Sequence, residues 1–397
     1  MKILIFSTAY FPFIGGAEVA VDEITKRLTE YDFDLITAKI KPNLPSQESY
    51  NRVNIYRVGF GAKIDKFLLP ILGLIKAIKL NKKRNYQIIW AIMASQAGVT
   101  ASFFKIIYPN KKMILNIQEG DPESYLQRYV LGIKFLYKIF IRPWHILPFK
   151  KADYITAISD YLRKRAIRSG AKCPIKRVPN GVNLTKILDS DSLKLSESYY
   201  EKLKKKLKIK PEDKIVITTS RLVKKNGIED LIKAISILPK DIKCLIAGDG
   251  PDRTKLENLA KQLKVEDRIF FLGQINHSEV FKYLKISDVF VRPSLSEGLG
   301  NSFLEAMAVG IPVIGTPVGG IPDFLKDGKT GFFCKVRDSF SIAEKIAKIL
   351  KDEKLKNRLC ENAKELVFKN YNWDNIAKQM DEIFRILDVP SSYLPPS

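Results

Sequence analysis

Two histidines and four cysteines in 397 residues leave little material for a metal centre or a disulfide framework. Imidazole is the commonest metal ligand, so a His-based metal site is disfavoured. Cys173, Cys244, Cys334 and Cys360 show no pair spacing, and Cys244 falls inside an apolar strand pattern. Reduced, buried thiols in a reducing compartment are the expectation. No uninterrupted apolar run approaches the roughly 20 residues that a membrane span needs. Met1 leads straight into a strand-like run, so no secretory leader is expected. The first strand is followed by Gly15-Gly16 rather than G-x-G-x-x-G, with no acid at the matching distance, which argues against a nicotinamide enzyme. Acidic residues are the other shortage. Against 67 Lys and Arg stand 43 Asp and Glu, a net charge of +24. That balance predicts attraction to something acidic: anionic lipid, nucleic acid or a phosphorylated substrate.

What is present is an α/β pattern long enough for two cores. Strand-like runs alternate with helical stretches at 2–8, 34–38, 54–58, 87–92, 112–117 and 154–159, then at 214–220, 242–248, 268–273, 289–293 and 312–316. Near-continuous apolar strands separated by helices imply parallel sheets covered on both faces. Two such series predict two doubly wound domains, 1–183 and 184–371, joined at the turn signal 178–183 and the polar stretch 189–210. Ligands of such sheets lie beyond the carboxyl ends of the strands, so two facing sheets would enclose a cleft site.

The densest signal is SLSEGLGNSFLEAMA at 294–308. A strand, a turn opened by Gly298 and Gly300, and a helix start offer free N–H groups and a helix dipole to an anion. Glu297 precedes the turn and Glu305 follows one turn into the helix; alone, the pair reads equally as a surface Glu and a helix-stabilising Glu. Arg221 and Lys225 follow another strand, and a guanidinium with an ammonium suits a diphosphate; a lysine-rich surface loop would explain Lys224 well and Arg221 poorly. Gly15 and Gly16 at a helix start admit a diphosphate or an acceptor, or form a plain βα turn. Glu119 or Asp121 could orient an acceptor hydroxyl or take its proton, while Asp121 before Pro122 also reads as a helix N-cap. Residues 125–151 contain no Asp or Glu. On a helical wheel Arg128, Lys134, Lys138 and Arg142 share one arc opposite Leu126, Tyr129, Ile133, Leu136, Tyr137 and Phe140. This reads as a membrane-surface helix with Trp144 as interfacial anchor, or as a core-facing helix with a solvated basic edge.

Glu297 and Glu305, with seven residues between them and EGLG starting at the first, resemble the E-x7-E motif of retaining GT-B glycosyltransferases. The resemblance runs from Gly15-Gly16-Ala17-Glu18 to Trp373. It implies the GT-B fold, two Rossmann-like domains facing across a cleft, with a C-terminal helix in 372–397 crossing back to the first. It implies sugar transfer from a nucleotide diphosphate to an acceptor hydroxyl, of hexosyltransferase type, with retention and without a divalent metal or cofactor. Glu297 would orient the sugar and Glu305 bind the ribose hydroxyls. Arg221, Lys225 and the segment Gly298, Leu299, Gly300, Asn301 and Ser302 would hold the diphosphate, and the backbone near Ile275 would meet the base. Gly15 and Gly16 would line the cleft. Gln118 stands where the family often has His, and Asn226, itself a donor-binding candidate after Arg221 and Lys225, where it has Lys. With a basic surface, the expected acceptor is lipid-linked and the enzyme peripheral on the cytoplasmic face of the membrane. Asp32-Phe-Asp34 and Asp189-Ser-Asp191 mimic a metal-binding D-x-D but sit at a strand start and in the polar stretch. Rival readings are a nucleotide-sugar epimerase, disfavoured by the few histidines, and a non-enzymatic polyanion or membrane binder. No nucleic-acid-binding module is recognisable, so no nucleic-acid partner is expected.

Overall fold

A computed structural model describes residues 1–121, 123–130, 132–184, 187 and 197–388. The chain forms two compact units, Met1–Asn180 with Trp373–Ser397, and Gly181–Asn372.

The first unit runs β1 (Lys2–Phe6), α1 (Gly16–Arg27), β2 (Asp32–Ala38), β3 (Gln47–Tyr50), β4 (Val53–Val58), α2 (Asp65–Arg84), β5 (Ile88–Ile92), α3 (Gln96–Ile107), β6 (Lys112–Ile117), α4 (Arg142–Lys151), β7 (Tyr154–Ala157), α5 (Asp160–Arg168) and β8 (Ile175–Arg177). Its eight strands lie in the order β3-β4-β2-β1-β5-β6-β7-β8. Ile3, Leu4, Ile5 and Phe6 in β1, and all of β5, are buried on both faces, as a central parallel strand requires. Helix α1 buries Ala17, Ala20, Val21 and Ile24, an i, i+3, i+4, i+7 stripe. Strand order reverses between β1 and β5, so the switch point of this sheet opens at the loops following those two strands.

The second unit holds α6 (Glu197–Lys206), β9 (Lys214–Thr219), α7 (Ile228–Ser236), β10 (Ile242–Ala247), α8 (Arg253–Gln262), β11 (Ile269–Gly273), α9 (His277–Lys285), β12 (Val289–Arg292), α10 (Asn301–Val309), β13 (Val313–Gly315), α11 (Ile321–Phe324), β14 (Phe332–Phe333), α12 (Ser339–Lys351) and α13 (Glu353–Asn370). The sheet order is β11-β10-β9-β12-β13-β14, all parallel, and its switch point lies between β9 and β12. The last helix, α14 (Trp373–Asp388), belongs to the first unit. Its stripe Trp373, Ile376, Ala377, Met380, Ile383 and Phe384 is buried in the core that α1 covers, and Phe384 packs edge-on against Trp90 and Tyr31.

The expected strand runs are each found, to within two residues at either end. Three strands went unread: β3 (QESY), β8 (IKR) and β14 (FF). All three are edge strands of two to four residues; β3 and β8 bury no residue, and β14, with only Phe332 buried, is too short to show a pattern. Strand β3 also breaks the all-parallel expectation, pairing antiparallel with β4 through a tight turn at Asn51. The polar stretch 189–210 is not simply a linker, because α6 occupies its second half; 188–196 lie outside the described residues.

The single amphipathic helix expected over 125–151 is absent. The chain instead makes a 3-10 helix (Glu123–Val130), one α-turn (Lys134–Leu136), a π-turn (Tyr137–Ile141) and then α4. Gly132, at φ +79°, takes a left-handed conformation that separates the first segment from the rest, and the π-turn changes the residue period before α4, which carries Pro143 in its first turn and Pro148 inside it. The two-arc wheel therefore dissolves. Tyr137, placed on the apolar arc, is buried, while Ile133, Phe135, Ile139 and Phe140 are exposed together with Lys134 and Lys138.

Candidate functional site

In the second unit the loops after β9 and β12 meet at the switch point. The first holds Arg221 and Lys225, both exposed, then a 3-10 turn at Lys224–Asn226 closed by Gly227. Gly227 has φ +69°, and a Cβ there would lie 1.9 Å from the carbonyl oxygen of Pro293. Only glycine lets the two loops touch. They are also latched by the Leu295 N–H, which donates to the Lys225 carbonyl at 2.7 Å.

Beneath this latch sits a side chain the sequence reading did not single out. Arg292, the last residue of β12, reaches Glu297 Oε2 at 2.6 Å, Asn226 Oδ1 at 3.0 Å and Ser302 Oγ at 2.9 Å. Asn226 is buried, and its Nδ2 donates to the Arg221 carbonyl at 2.6 Å. Glu297 is fixed from the backbone side as well. Its carbonyl accepts from the Gly320 N–H at 3.3 Å, and a Cβ on Gly319 would lie 1.8 Å from that oxygen. The glycine-rich turn 315–320 thus supports Glu297 by close approach rather than by a side chain.

Helix α10 starts at this point. Its cap is Gly300, at φ +100°, which offers no side chain to the first N–H groups. Gly298, Leu299 and Gly300 are buried and Asn301 and Ser302 half-buried, so the turn presents backbone rather than bulk. Glu305 is half-buried, four residues into the helix. Around the ends of β9 and β12 the hydroxyls of Thr218, Thr219, Ser220 and Ser294 and the Nε of Arg292 are buried without a hydrogen-bond partner among the described residues. Donors of this density, with an open helix start and an arginine, can receive an anion, and one acceptor, Glu297 Oε2, is buried among them without a hydrogen-bond partner of good geometry. Ile275 stands apart, half-buried in the loop after β11.

The first unit carries a second polar group at its switch point. Gly15 caps α1, and Glu18 folds back over it, with a Cβ on Gly15 meeting Glu18 Oε2 at 2.6 Å. This is the reciprocal half of a capping box, and burial raises the Glu18 pKa above the ordinary range. Gly15 and Gly16 themselves are exposed. Gln118 is held internally: its Nε2 donates to Asn116 Oδ1 at 2.7 Å and its Oε1 accepts from Asn180 at 2.9 Å.

Glu119 and Asp121 follow, and both of their carbonyls accept from Arg165 Nη1, at 2.9 and 2.8 Å. Arg165 Nη2 lies 3.3 Å from Nε2 of the buried His145, whose Nδ1 lies 3.1 Å from the Ala94 carbonyl. A neutral His145 protonated on Nδ1 satisfies both contacts. Neither Arg165 nor His145 was singled out from the sequence, because their link to Glu119 is purely tertiary. Glu119, Asp121, Arg165 and His145 form the polar end of a cavity of about 740 Å3 whose remaining wall is mainly apolar, including Phe67, Ile71, Phe103, Leu126, Ile141 and Trp144. Beside it Lys134, Lys138, Arg142 and Trp144 are exposed; the side chain of Arg128 lies outside the described residues.

The metal-site look-alikes are accounted for differently. Asp32 and Asp34 pair with Arg84 at 3.6 and 3.2 Å, and Asp34 also accepts from Asn54 and Tyr86. Asp189 and Asp191 lie outside the described residues. The four cysteines are free thiols, Cys244 and Cys334 fully inside the second core.

Comparison with known proteins bears on family and fold. The family described as glycosyl transferases group 1 matches residues 200–366, and glycosyltransferase family 4 matches residues 14–186. The chain is 30% identical over 403 residues to the N-acetyl-alpha-D-glucosaminyl L-malate synthase of Bacillus anthracis, covering 97% of both chains. It is 28% identical over 262 residues to the GDP-mannose-dependent alpha-(1-6)-phosphatidylinositol monomannoside mannosyltransferase of Mycobacterium tuberculosis, covering 61% of this chain and 66% of that one. Among solved structures, Anabaena HepE in complex with UDP and glucose superposes with a TM-score of 0.77 at 20% identity, over 97% of this chain and 100% of that one. The chain therefore belongs to the group 1, family 4-like glycosyltransferases, and is a glycosyltransferase with two Rossmann-like domains of the GT-B type.

Proposed function

We propose that this enzyme transfers a hexosyl-type sugar, with retention at the anomeric carbon, from a nucleotide diphosphate to the hydroxyl of a lipid-linked or other membrane-associated acceptor. The observation that carries the donor side is the open, side-chain-free start of α10 at the switch point of the second sheet, beside Arg221 and Lys225. Charge develops on the leaving diphosphate as the glycosidic bond breaks. Cations and fixed N–H groups already aimed at that position stabilise it without reorganising, and in this reading no divalent ion is required. Glu297 orients the sugar, and Glu305, one turn into α10, takes the ribose hydroxyls. On the acceptor side, Glu119 or Asp121 orients the incoming hydroxyl or takes its proton.

The lipid-linked acceptor is supported by the first unit. A cavity of about 740 Å3 with a largely apolar wall and two carboxylates at its polar end suits a hydroxyl attached to an apolar body. Next to it Phe135, Ile139, Phe140 and Trp144 are exposed among Lys134, Lys138 and Arg142, the mixture that docks on an anionic bilayer surface. One of the relatives named above acts on a phosphatidylinositol mannoside. No helix among the described residues is long and apolar enough to cross a membrane. We place the enzyme on the inner, cytoplasmic face of the membrane, where nucleotide sugars are at hand.

A thermal-shift panel of UDP-, GDP- and ADP-sugars, each with EDTA and with magnesium, tests the donor side. One nucleotide class raises the melting temperature equally in both buffers, and Glu305→Ala abolishes the rise. No shift with any of the three sinks the reading. Flotation with vesicles of 30% anionic lipid tests the docking surface: Phe140→Ser with Trp144→Ser should leave the protein unbound, and unchanged flotation overturns that part.

A further inference from the structure

We propose that Arg292 is a second diphosphate-binding cation of the donor site and supplies, from the end of β12, the charge that Asn226 does not. The proposal rests on the donor-site reading above. Arg292 lies at the switch point, with its side chain only 13% exposed. A guanidinium has five N–H donors in a planar fork. Three contacts are made, to Glu297, Asn226 and Ser302, and the buried Nε has no partner among the described residues. A buried guanidinium with donors left over, hydrogen-bonded to the second residue of α10, faces the place where the helix start offers its own N–H groups. A diphosphate oxygen satisfies both, and the fork geometry suits two such oxygens.

Asn226 explains why the cation has moved. Its amide donates to the Arg221 carbonyl and accepts from Arg292 Nη2, so it works as a bracket that positions the guanidinium. A lysine at 226 could not accept that bond and would bring an ammonium against Arg292 at hydrogen-bond range, where like charges repel strongly. A cation at 226 and one at 292 are thus alternatives for one subsite. Among the described residues Glu297 is the carboxylate paired with Arg292, and a bound diphosphate competes for that guanidinium and releases Glu297 towards the sugar.

The test is binding of UDP, GDP and ADP, and of uridine, guanosine and adenosine, to the full chain by calorimetry. For the nucleotide that the wild type binds, Arg292→Met should weaken the diphosphate by roughly tenfold to a hundredfold, the worth of a hydrogen-bonded charge. The matching nucleoside should change less than about twofold, since no phosphate is lost. Adding Asn226→Lys to Arg292→Met should regain most of the lost affinity. Should Arg292→Met fail to fold, Arg292→Gln, which can still bond Ser302 and Asn226, takes its place. Equal binding by wild type and variant overturns this proposal and leaves the donor site standing. So does an equal loss for nucleoside and diphosphate with no recovery on adding Asn226→Lys, which would mean that Arg292 only shapes the loop. If the wild type binds none of the three diphosphates, the donor-site reading itself falls, and this proposal with it.

Discussion

Replacing Gly319 by alanine tests whether the glycine-rich turn sets the position of Glu297. Gly319 has φ +57°, and a Cβ built there lies 1.8 Å from the Glu297 carbonyl oxygen and 2.8 Å from its carbon. Ordinary contact requires the Glu297 peptide to recede by roughly 1.5 Å. The Gly320 N–H bond to the same oxygen, 3.3 Å long, is lost with it. The left-handed backbone alone costs about 1 kcal/mol; the displaced peptide raises the total to roughly 2–4 kcal/mol. Glu297 carries its carboxylate, paired with Arg292 at 2.6 Å, along with its backbone. A shift of about 1 Å in a positioning group costs on the order of 100-fold in rate. Gly328→Ala is the control: its φ is +67°, but the nearest atom to the new Cβ is Phe332 Cε1 at 3.9 Å. Urea denaturation should show a loss of about 1 kcal/mol for Gly328→Ala and distinctly more for Gly319→Ala. Release of nucleoside diphosphate from the stabilising donor should fall about 100-fold in Gly319→Ala and stay within about twofold of wild type in Gly328→Ala. If Gly319→Ala matches Gly328→Ala in both measurements, the turn does not position Glu297.

Burial in the second core pushes the Cys244 and Cys334 thiols up to about 12, and partial burial pushes Cys173 and Cys360 up to about 11. Iodoacetamide at neutral pH should therefore label the folded chain slowly, at Cys173 and Cys360 first, and reach Cys244 and Cys334 only on unfolding; peptide mass spectrometry reads the order, and early labelling of Cys244 contradicts it. Glu229 is held down at about 2 by its bonds to Lys233 and Lys255, each 2.8 Å long. Its folded pKa lies below the unfolded one, so its contribution is present above the ordinary carboxylate range and disappears as pH falls towards about 2. Because the side chain is 40% exposed, Glu229→Gln should cost less than about 1 kcal/mol near neutrality, and the difference from wild type in urea midpoints should vanish in acid. Met380, fully buried on α14, should cost about 2–5 kcal/mol on replacement by alanine, whereas Ile386→Ala, 48% exposed on the same helix, should cost under about 0.5 kcal/mol.

The doubly wound architecture was legible because central parallel strands announce themselves. Runs such as Ile88-Ile-Trp-Ala-Ile92 are apolar on both faces, and nothing else of that length between helices has the same pattern. Edge strands give no such signal, which is why QESY and IKR passed unread. Residues 125–151 misled for a different reason. A helical wheel assumes one uniform helix, and the left-handed Gly132 with the π-turn at Tyr137–Ile141 denies it; of the two, only the glycine is visible in the sequence as a break. The mixture of basic and apolar exposure survives the correction, because it follows from composition rather than from periodicity.

The site divides along the same line. The geometry of one continuous stretch could be read directly: Glu297, the turn through Gly300 and Glu305 sit on a strand–turn–helix, a pattern local to the sequence. Contributions that cross the sheet could not. Arg292 ends an apolar strand run and resembles an ordinary solvated terminus. Its partners are Asn226, 66 residues earlier, and Ser302, ten later, and only the β9–β12 pairing brings the first within 3.0 Å. One clue was available. Asn226 stands where the family resemblance implies a lysine, so on the donor-site reading proposed above one cation is to be sought elsewhere. A site that loses a charge from one loop and keeps the same chemistry must regain it from another. In a doubly wound sheet the place to look is the strand across the switch point, and Arg292 stands at its end.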